Sequence, residues 1–343
     1  MSRTVIVTAM RNEAPHLLEW IAHHRALGVE DFLVYSNDCT DGTDTILDLL
    51  AAAGILHHVR NQVPEGRTPQ WSALAQAAGH PLYAEAEWVA CIDCDEFLNL
   101  RPPLKDFSAL IAAADADAII LPWRLFGHNG HAMPPASLTT EAYTRAIPEN
   151  ALYPALSRFF KTLYRRGSFG KPGVHRPKSL VTHAKWVDGS GRALPESFAA
   201  SQGQIMLWGG PLATDLVQLN HYSVRSAGDF LLKRARGLPN HTDKAIDLTY
   251  WVERNFNSVE DTSILSRTEA TKAELDRLRG LPGIAAADHG ARETARTEIN
   301  RLLSDPETVQ FFGRLLLAAG SAPPPPDTAR RLVALYRNAL RPE

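Results

Sequence analysis

Asp93 and Asp95, separated by one residue and followed at once by Glu96, close an apolar run that begins at Trp88. Trp88-Val89-Ala90-Cys91-Ile92 reads as a buried strand, and such a strand does not normally end in a cluster of acids. Ionised carboxylates repel one another and resist desolvation unless a cation sits between them. A hard divalent ion is the usual solution, because oxygen ligands suit Mg2+ or Mn2+. Asp93-Cys94-Asp95 therefore reads as a D-x-D site for metal and diphosphate at the carboxyl end of a sheet strand. On an extended segment, residues two apart face the same side, so both carboxylates would meet one ligand.

The elements that must position these acids can be read from the chain before them. Thr4–Ala9 is a β-rich run, Asn12 a cap, and Pro15 falls in the first turn of a helix that Gly28 closes. Asp31–Ser36 is the next strand, followed by the turn Asn37–Gly42 and a helix over about Thr43–Ala53. Ile55–Val59 reads as a third strand, Pro69–Ala78 as a third helix and Trp88–Ile92 as a fourth strand. Short alternation of strand and helix predicts βαβ units: a doubly wound, mostly parallel sheet with helices on both faces. Ligands of such sheets bind beyond the carboxyl ends of the strands. Arg11-Asn12-Glu13, Asn37–Asp41 and Asp93–Glu96 all fall at that rim.

Beyond Asp115 the pattern loosens. Ala118–Leu121 and Ser157–Tyr164 read as strands, separated by a Pro- and His-rich stretch, Gly127–Pro135. Long irregular segments in a compact domain are usually functional, and these would form an acceptor pocket. From about Ala227 the chain reads as helical, with Ser226 a cap and a last helix over about Thr328–Leu340 after the breaker Pro323–Pro326.

Composition excludes several classes. Hydrophobic residues at 45%, charged residues at 22% and a net charge of −2 are those of an ordinary soluble protein with no basic surplus for nucleic acid. No apolar stretch reaches membrane-span length, which leaves peripheral membrane contact open. The N-terminus lacks a signal-peptide layout, and the 3 cysteines suggest no disulfide framework. The expectation is a cytoplasmic protein; oligomeric state is left open. Cys91-x-x-Cys94 has no second pair, and on a strand its members would face opposite sides, against zinc or redox use.

Several motifs together resemble glycosyltransferases of the family-2-like, family-92 kind. They are Ala9–Pro15, Leu18-Glu19-Trp20, His23-His24-Arg25, Asn37–Thr43, Asp93–Phe97, Trp123–Gly127 and His221-Tyr222 with Ser226, in order over roughly residues 4–237. The resemblance implies a GT-A fold over 1–240, with a nucleotide-sugar half to about 115 and an acceptor half after it, then a helical region over 241–343. It also implies a nucleotide-sugar donor, UDP-linked by preference, a glycan or other hydroxyl acceptor, Mn2+ or Mg2+, and inversion at the sugar carbon. Many family-2 enzymes place two aspartates after the second strand; here Ser36 and Asn37 stand there, and an Asn amide can still read a base edge.

With that reading, Asp95 binds metal directly, and Asp93 binds it through water or holds the ribose. His221, at the end of a short apolar run, becomes the third protein ligand by resemblance. Asn12, Glu13, Asn37 and Asp41 hold the nucleoside, although the same residue types suit ordinary turns and caps. Lys233 or Arg236 reaches the diphosphate. Glu96 either orients a base or pairs with a lysine. Inversion needs a general base across the anomeric carbon from the leaving group, and Glu141 is the choice among the acids of the acceptor region. Two rivals remain: a nucleotidyltransferase or other phosphoryl-transfer enzyme, against which the glycine-free Ala9–Pro15 counts, and a non-catalytic nucleotide-sugar-binding protein.

Overall fold

A computed structural model of the chain describes residues 3–208, 212–237 and 246–339. The first half runs β1 (Thr4–Met10), α1 (Ala14–Ala26), β2 (Asp31–Ser36), α2 (Thr43–Ala52), β3 (His57–Arg60), α3 (Pro69–Ala77), α4 (Pro81–Glu85) and β4 (Trp88–Cys91). Next come β5 (Glu96–Leu100), α5 (Phe107–Ala114), β6 (Ala118–Leu125), α6 (Thr139–Ala142), β7 (Arg145–Ala146) and β8 (Phe160–Arg165). Short strands β9 (Phe169–Lys171), β10 (Lys178–Leu180) and β11 (Trp186–Val187) precede α7 (Glu196–Ala200) and β12 (Val217–His221). The rest holds α8 (Ala227–Arg236), α9 (Leu248–Val252), β13 (Val259–Glu260), α10 (Thr268–Arg279), α11 (Ile284–Leu302), α12 (Pro306–Leu317) and α13 (Pro326–Ala339).

The main sheet runs β3-β2-β1-β4-β8-β6-β12-β5, with β11 added beside β6. β1, β2, β3 and β4 pair in parallel, as do β6 and β12, whereas β8 and β5 enter antiparallel. The expected α/β class and mostly parallel sheet are therefore present. Period-two alternation divides the core between the faces. Ile6, Phe32 and Val34 point into the cluster under α1 and α2, while Val5, Val7, Leu33 and Tyr35 point into the one under α3 and α4. Cys91 joins the second cluster and Cys94 the first, so the two thiols face apart as expected.

Ser226 caps α8 as read from sequence, accepting from the Asp229 N–H at 3.0 Å. Strand β5 was not anticipated: Glu96 opens it rather than closing a loop. The expected boundary at residue 240 and the final Leu340 lie outside the described residues. α10 and α11 pack against α1, and α11 also against α2 and α8. Among the described residues no helix is long and apolar enough to cross a membrane.

Candidate functional site

The acidic segment is a tight turn, not an extended strand: the Glu96 N–H donates to the Asp93 carbonyl at 3.0 Å. The turn overrides the expectation that both aspartates point the same way. Asp93 accepts from Gln70 Nε2 and Lys161 Nζ, each at 2.9 Å. Asp95 instead accepts from Lys233 Nζ at 2.9 Å and lies 3.6 Å from His221 Nε2. Both still line one cavity of about 270 Å3, with His221, Lys233, Arg236 and Arg254.

Sheet pairing delivers His221. β5 leaves the acidic turn directly and β12 pairs antiparallel with it, placing His221 opposite Glu96. The Tyr222 N–H then donates to the Asp95 carbonyl at 2.8 Å and locks the two strand ends. Lys233 comes from the last turn of α8 and also donates to the Ser223 carbonyl at 2.8 Å.

Charge in the cavity is ordered by these contacts. Burial alone would raise Asp95, but Lys233, with Arg225, outweighs it and holds its carboxyl well below the usual carboxylate range. Burial lowers His221 despite Asp95, so the imidazole is neutral. Burial, reinforced by Asp93 and Asp95, raises Glu96 well above its usual range even with Lys161 3.5 Å away. Glu96 thus favours the uncharged acid; its Oε2 accepts from the Asp93 N–H at 2.7 Å, and Lys161 balances Asp93. Of the two roles read for Glu96, proximity to a lysine is the one found.

Glu13 is buried between Arg225 and Arg236, whose charges outweigh desolvation and keep it ionised. Arg236 also donates to the carbonyls of Arg11 and Asn12, both at 2.6 Å. Arg11, Glu13, Lys233 and Arg236 separate the acidic cavity from a second one of about 420 Å3, which Asn12 and Asp41 line. Asp41 is engaged by backbone: Ala14 and Thr43 N–H groups donate to it, each at 3.0 Å. Asn37 lines neither cavity and accepts from Asn61 Nδ2 at 2.8 Å.

Glu141 is not brought to the site. Its carboxylate pairs with Lys272 at 2.6 Å and accepts from the Leu138 N–H, and it does not line the acidic cavity. The reason is the short helix α6, which turns Glu141 toward α10. Sequence reading missed Gln70, Lys161, His175, Tyr250 and Arg254. Only Lys161 carried a local signal, a charge inside the apolar run Phe159–Tyr164.

Among the described residues no three His, Cys, Asp or Glu side chains converge on one metal position, so Asp93 does not join Asp95 and His221 in a three-ligand set. The pair Asp95–His221 still fits a divalent ion. One is an ionised carboxylate, the other a neutral imidazole whose Nε2 faces it at 3.6 Å. Mg2+ and Mn2+ need few protein ligands where a substrate supplies phosphate oxygens.

The model of the family described as "Glycosyltransferase family 92" matches residues 6–188. A family 92 protein of Oryza sativa subsp. japonica is 25% identical over 197 residues, covering 53% of this chain and 33% of that protein. One from Ricinus communis is 30% identical over 145 residues, covering 40% and 25%. The S. aureus TarS 1–349 structure has a TM-score of 0.35 at 14% identity, covering 99% of this chain and 93% of that one. The mannosyltransferase PcManGT from Pyrobaculum calidifontis, in complex with GDP-Man and Mn2+, has a TM-score of 0.34 at 13% identity, covering 92% and 85%. The chain spans a third or less of the length of the curated relatives it matches.

Proposed function

The chain belongs to glycosyltransferase family 92, and from that premise we propose that it moves a sugar from a nucleotide-diphosphate donor to a glycan or other hydroxyl acceptor. The supporting observation is the Asp95–His221 pair sharing one cavity with Lys233, Arg236 and Arg254. A carboxylate and a neutral imidazole suit a divalent ion, and the cations suit the two phosphates. The reading is of a metal-dependent, inverting transferase of GT-A type, with a UDP-sugar the first donor to test.

Asp95 and His221 would hold Mn2+ or Mg2+, which when bound neutralises charge on the departing diphosphate. Lys233 exchanges part of its contact with Asp95 for a phosphate oxygen, while Arg236 and Arg254 bracket the other phosphate. Asp93, 34% exposed on its side chain and held by Gln70 and Lys161, accepts from a ribose or sugar hydroxyl. Asn12, Thr40 and Asp41 shape the adjoining cavity toward the nucleoside. Residues 1–240 form the transferase unit in this reading, and the helical region after them supports it through α10 and α11.

The test is thermal stability with uridine and guanosine diphosphates, with and without Mn2+. A metal-linked rise in Tm supports the reading. If no nucleoside diphosphate stabilises the protein, the reading falls.

A further inference from the structure

The last helix carries more apolar surface than the protein body covers. The consecutive prolines Pro323–Pro326 form a stiff lead, and Pro326 opens α13. Ala329, Leu332, Val333 and Tyr336 recur at helical spacing and share one face, which Leu335 and Ala339 widen. Of these only Ala329 is fully buried; Leu332 and Val333 are half-buried, while Leu335 is 57% and Tyr336 43% exposed. Among the described residues the ring contact found from α13 is Tyr336 on Trp208, 5.9 Å between centroids. Trp208 closely follows Met206, which bridges to Phe159 on the wall of the acidic cavity.

Charge is arranged around that apolar face. Arg330 and Arg337 run along one edge, about two turns apart, and Arg331 lies along the other. Arg330 pairs with Asp327, the only acid of the helix. Arg331 and Arg337 are exposed, and no ion-pair or hydrogen-bond partner is found for either side chain among the described residues. A helix of this length gains little from propensity and depends on a surface that covers its apolar face. A second copy of α13 suits the face poorly, because both edges of a two-fold contact would set arginine against arginine. An anionic lipid surface suits it well: headgroup phosphates meet the guanidiniums at both edges, and the apolar side chains between them enter the acyl boundary.

We infer that α13 is an interfacial helix that docks the protein on an anionic lipid surface. It lies in the plane of that surface with Leu335, Tyr336 and Ala339 toward the acyl chains and Arg330, Arg331 and Arg337 among the headgroups. The whole chain carries a net charge of −2, so the attraction is local to this helix and is not a property of overall charge. The inference stands apart from the transferase reading and uses none of its residues.

The experiment is co-sedimentation of the full chain with vesicles of phosphatidylcholine alone and of phosphatidylcholine mixed equally with phosphatidylglycerol, at low and high salt. The wild type should bind the mixed vesicles at least about tenfold more tightly than the neutral ones, and the difference should shrink as salt screens it. Arg331→Gln combined with Arg337→Gln, which breaks no contact found in the structure, should weaken binding to mixed vesicles at least about tenfold. Leu335→Ser should weaken it by about tenfold while the salt dependence stays. Both variants should keep the wild-type Tm, since the replaced side chains are exposed. No binding to mixed vesicles, equal binding to neutral ones, or full binding by both variants would each overturn the assignment. So would a concentration-dependent dimer that Leu335→Ser dissolves, because a second copy would then be the occupant.

Discussion

His221 stands opposite Glu96 in the β12–β5 ladder, and its imidazole thereby reaches Asp95 at 3.6 Å. The acid and the histidine are joined by strand pairing and by the Tyr222 N–H on the Asp95 carbonyl, so their spacing is set by backbone. Strand pairing, rather than closeness along the chain, thus brings the two side chains together.

Asp95→Asn should abolish the metal-linked part of diphosphate stabilisation and lower transfer by about a hundredfold or more. It also leaves Lys233, 12% exposed, without its carboxylate, so the apo protein should lose on the order of 3 kcal/mol. Calorimetry and urea melts with and without Mn2+ separate the two effects. Full metal dependence in the variant would contradict the assignment of Asp95.

Glu141→Gln should leave the transfer rate within about twofold, because removal of a true general base costs a hundredfold or more. Its carboxylate is engaged by Lys272 and the Leu138 N–H, away from the cavity. Steady-state kinetics with a responsive acceptor checks this, and a hundredfold fall would return Glu141 to the chemistry.

Asp41→Ala should act on stability more than on ligand affinity. Asp41 accepts from Ala14 at the start of α1 and from Thr43 at the start of α2, so the expected loss is about 1–2 kcal/mol. Denaturant melts read that loss. A large fall in diphosphate affinity with unchanged stability would instead make Asp41 a ligand contact.

Stability should fall on mild acidification. Burial lowers His23 to about 4, and lowers His24, His128 and His221 as well. Between the free-histidine value near 6.5 and about 4, the unfolded chain takes up protons that folded His23 does not. His23 removes about 1.4 kcal/mol per pH unit as pH falls through that window, and His24, His128 and His221 act in the same direction. Glu19 and Glu96, raised by burial, act with the opposite sign above the free-carboxylate range and reduce the net slope. Asp95, held low, keeps its contribution down to the free-carboxylate value of 3.8 and loses it progressively below that. The urea midpoint should fall from pH 7 to pH 5 by less in His23→Gln than in the wild type, and an unchanged pH dependence in that variant would contradict a buried neutral His23.

The amino-acid order by itself determined the local devices. The unbroken apolar runs Val5-Ile6-Val7 and Phe32-Leu33-Val34 specify strands buried on both faces, Pro15 and Gly28 bracket the first helix, and Ser226 starts α8. The acids at Asp93–Glu96 marked the site for the same reason: clustered carboxylates at a buried strand end require cations. Tertiary structure decided which cation each acid meets. The turn at Asp93 sends its carboxylate to Lys161 and Gln70, while β12, entering beside β5, brings His221 to Asp95 and α8 adds Lys233. Those partners lie far away along the chain, and no local spacing encodes an antiparallel pairing between remote strands. Glu141 and His175 show the same division in reverse. Glu141 followed a suggestive motif, yet α6 turns it to Lys272, whereas His175 carried no local signal and reaches the cavity because β8 supplies the Phe160 carbonyl that orients its ring.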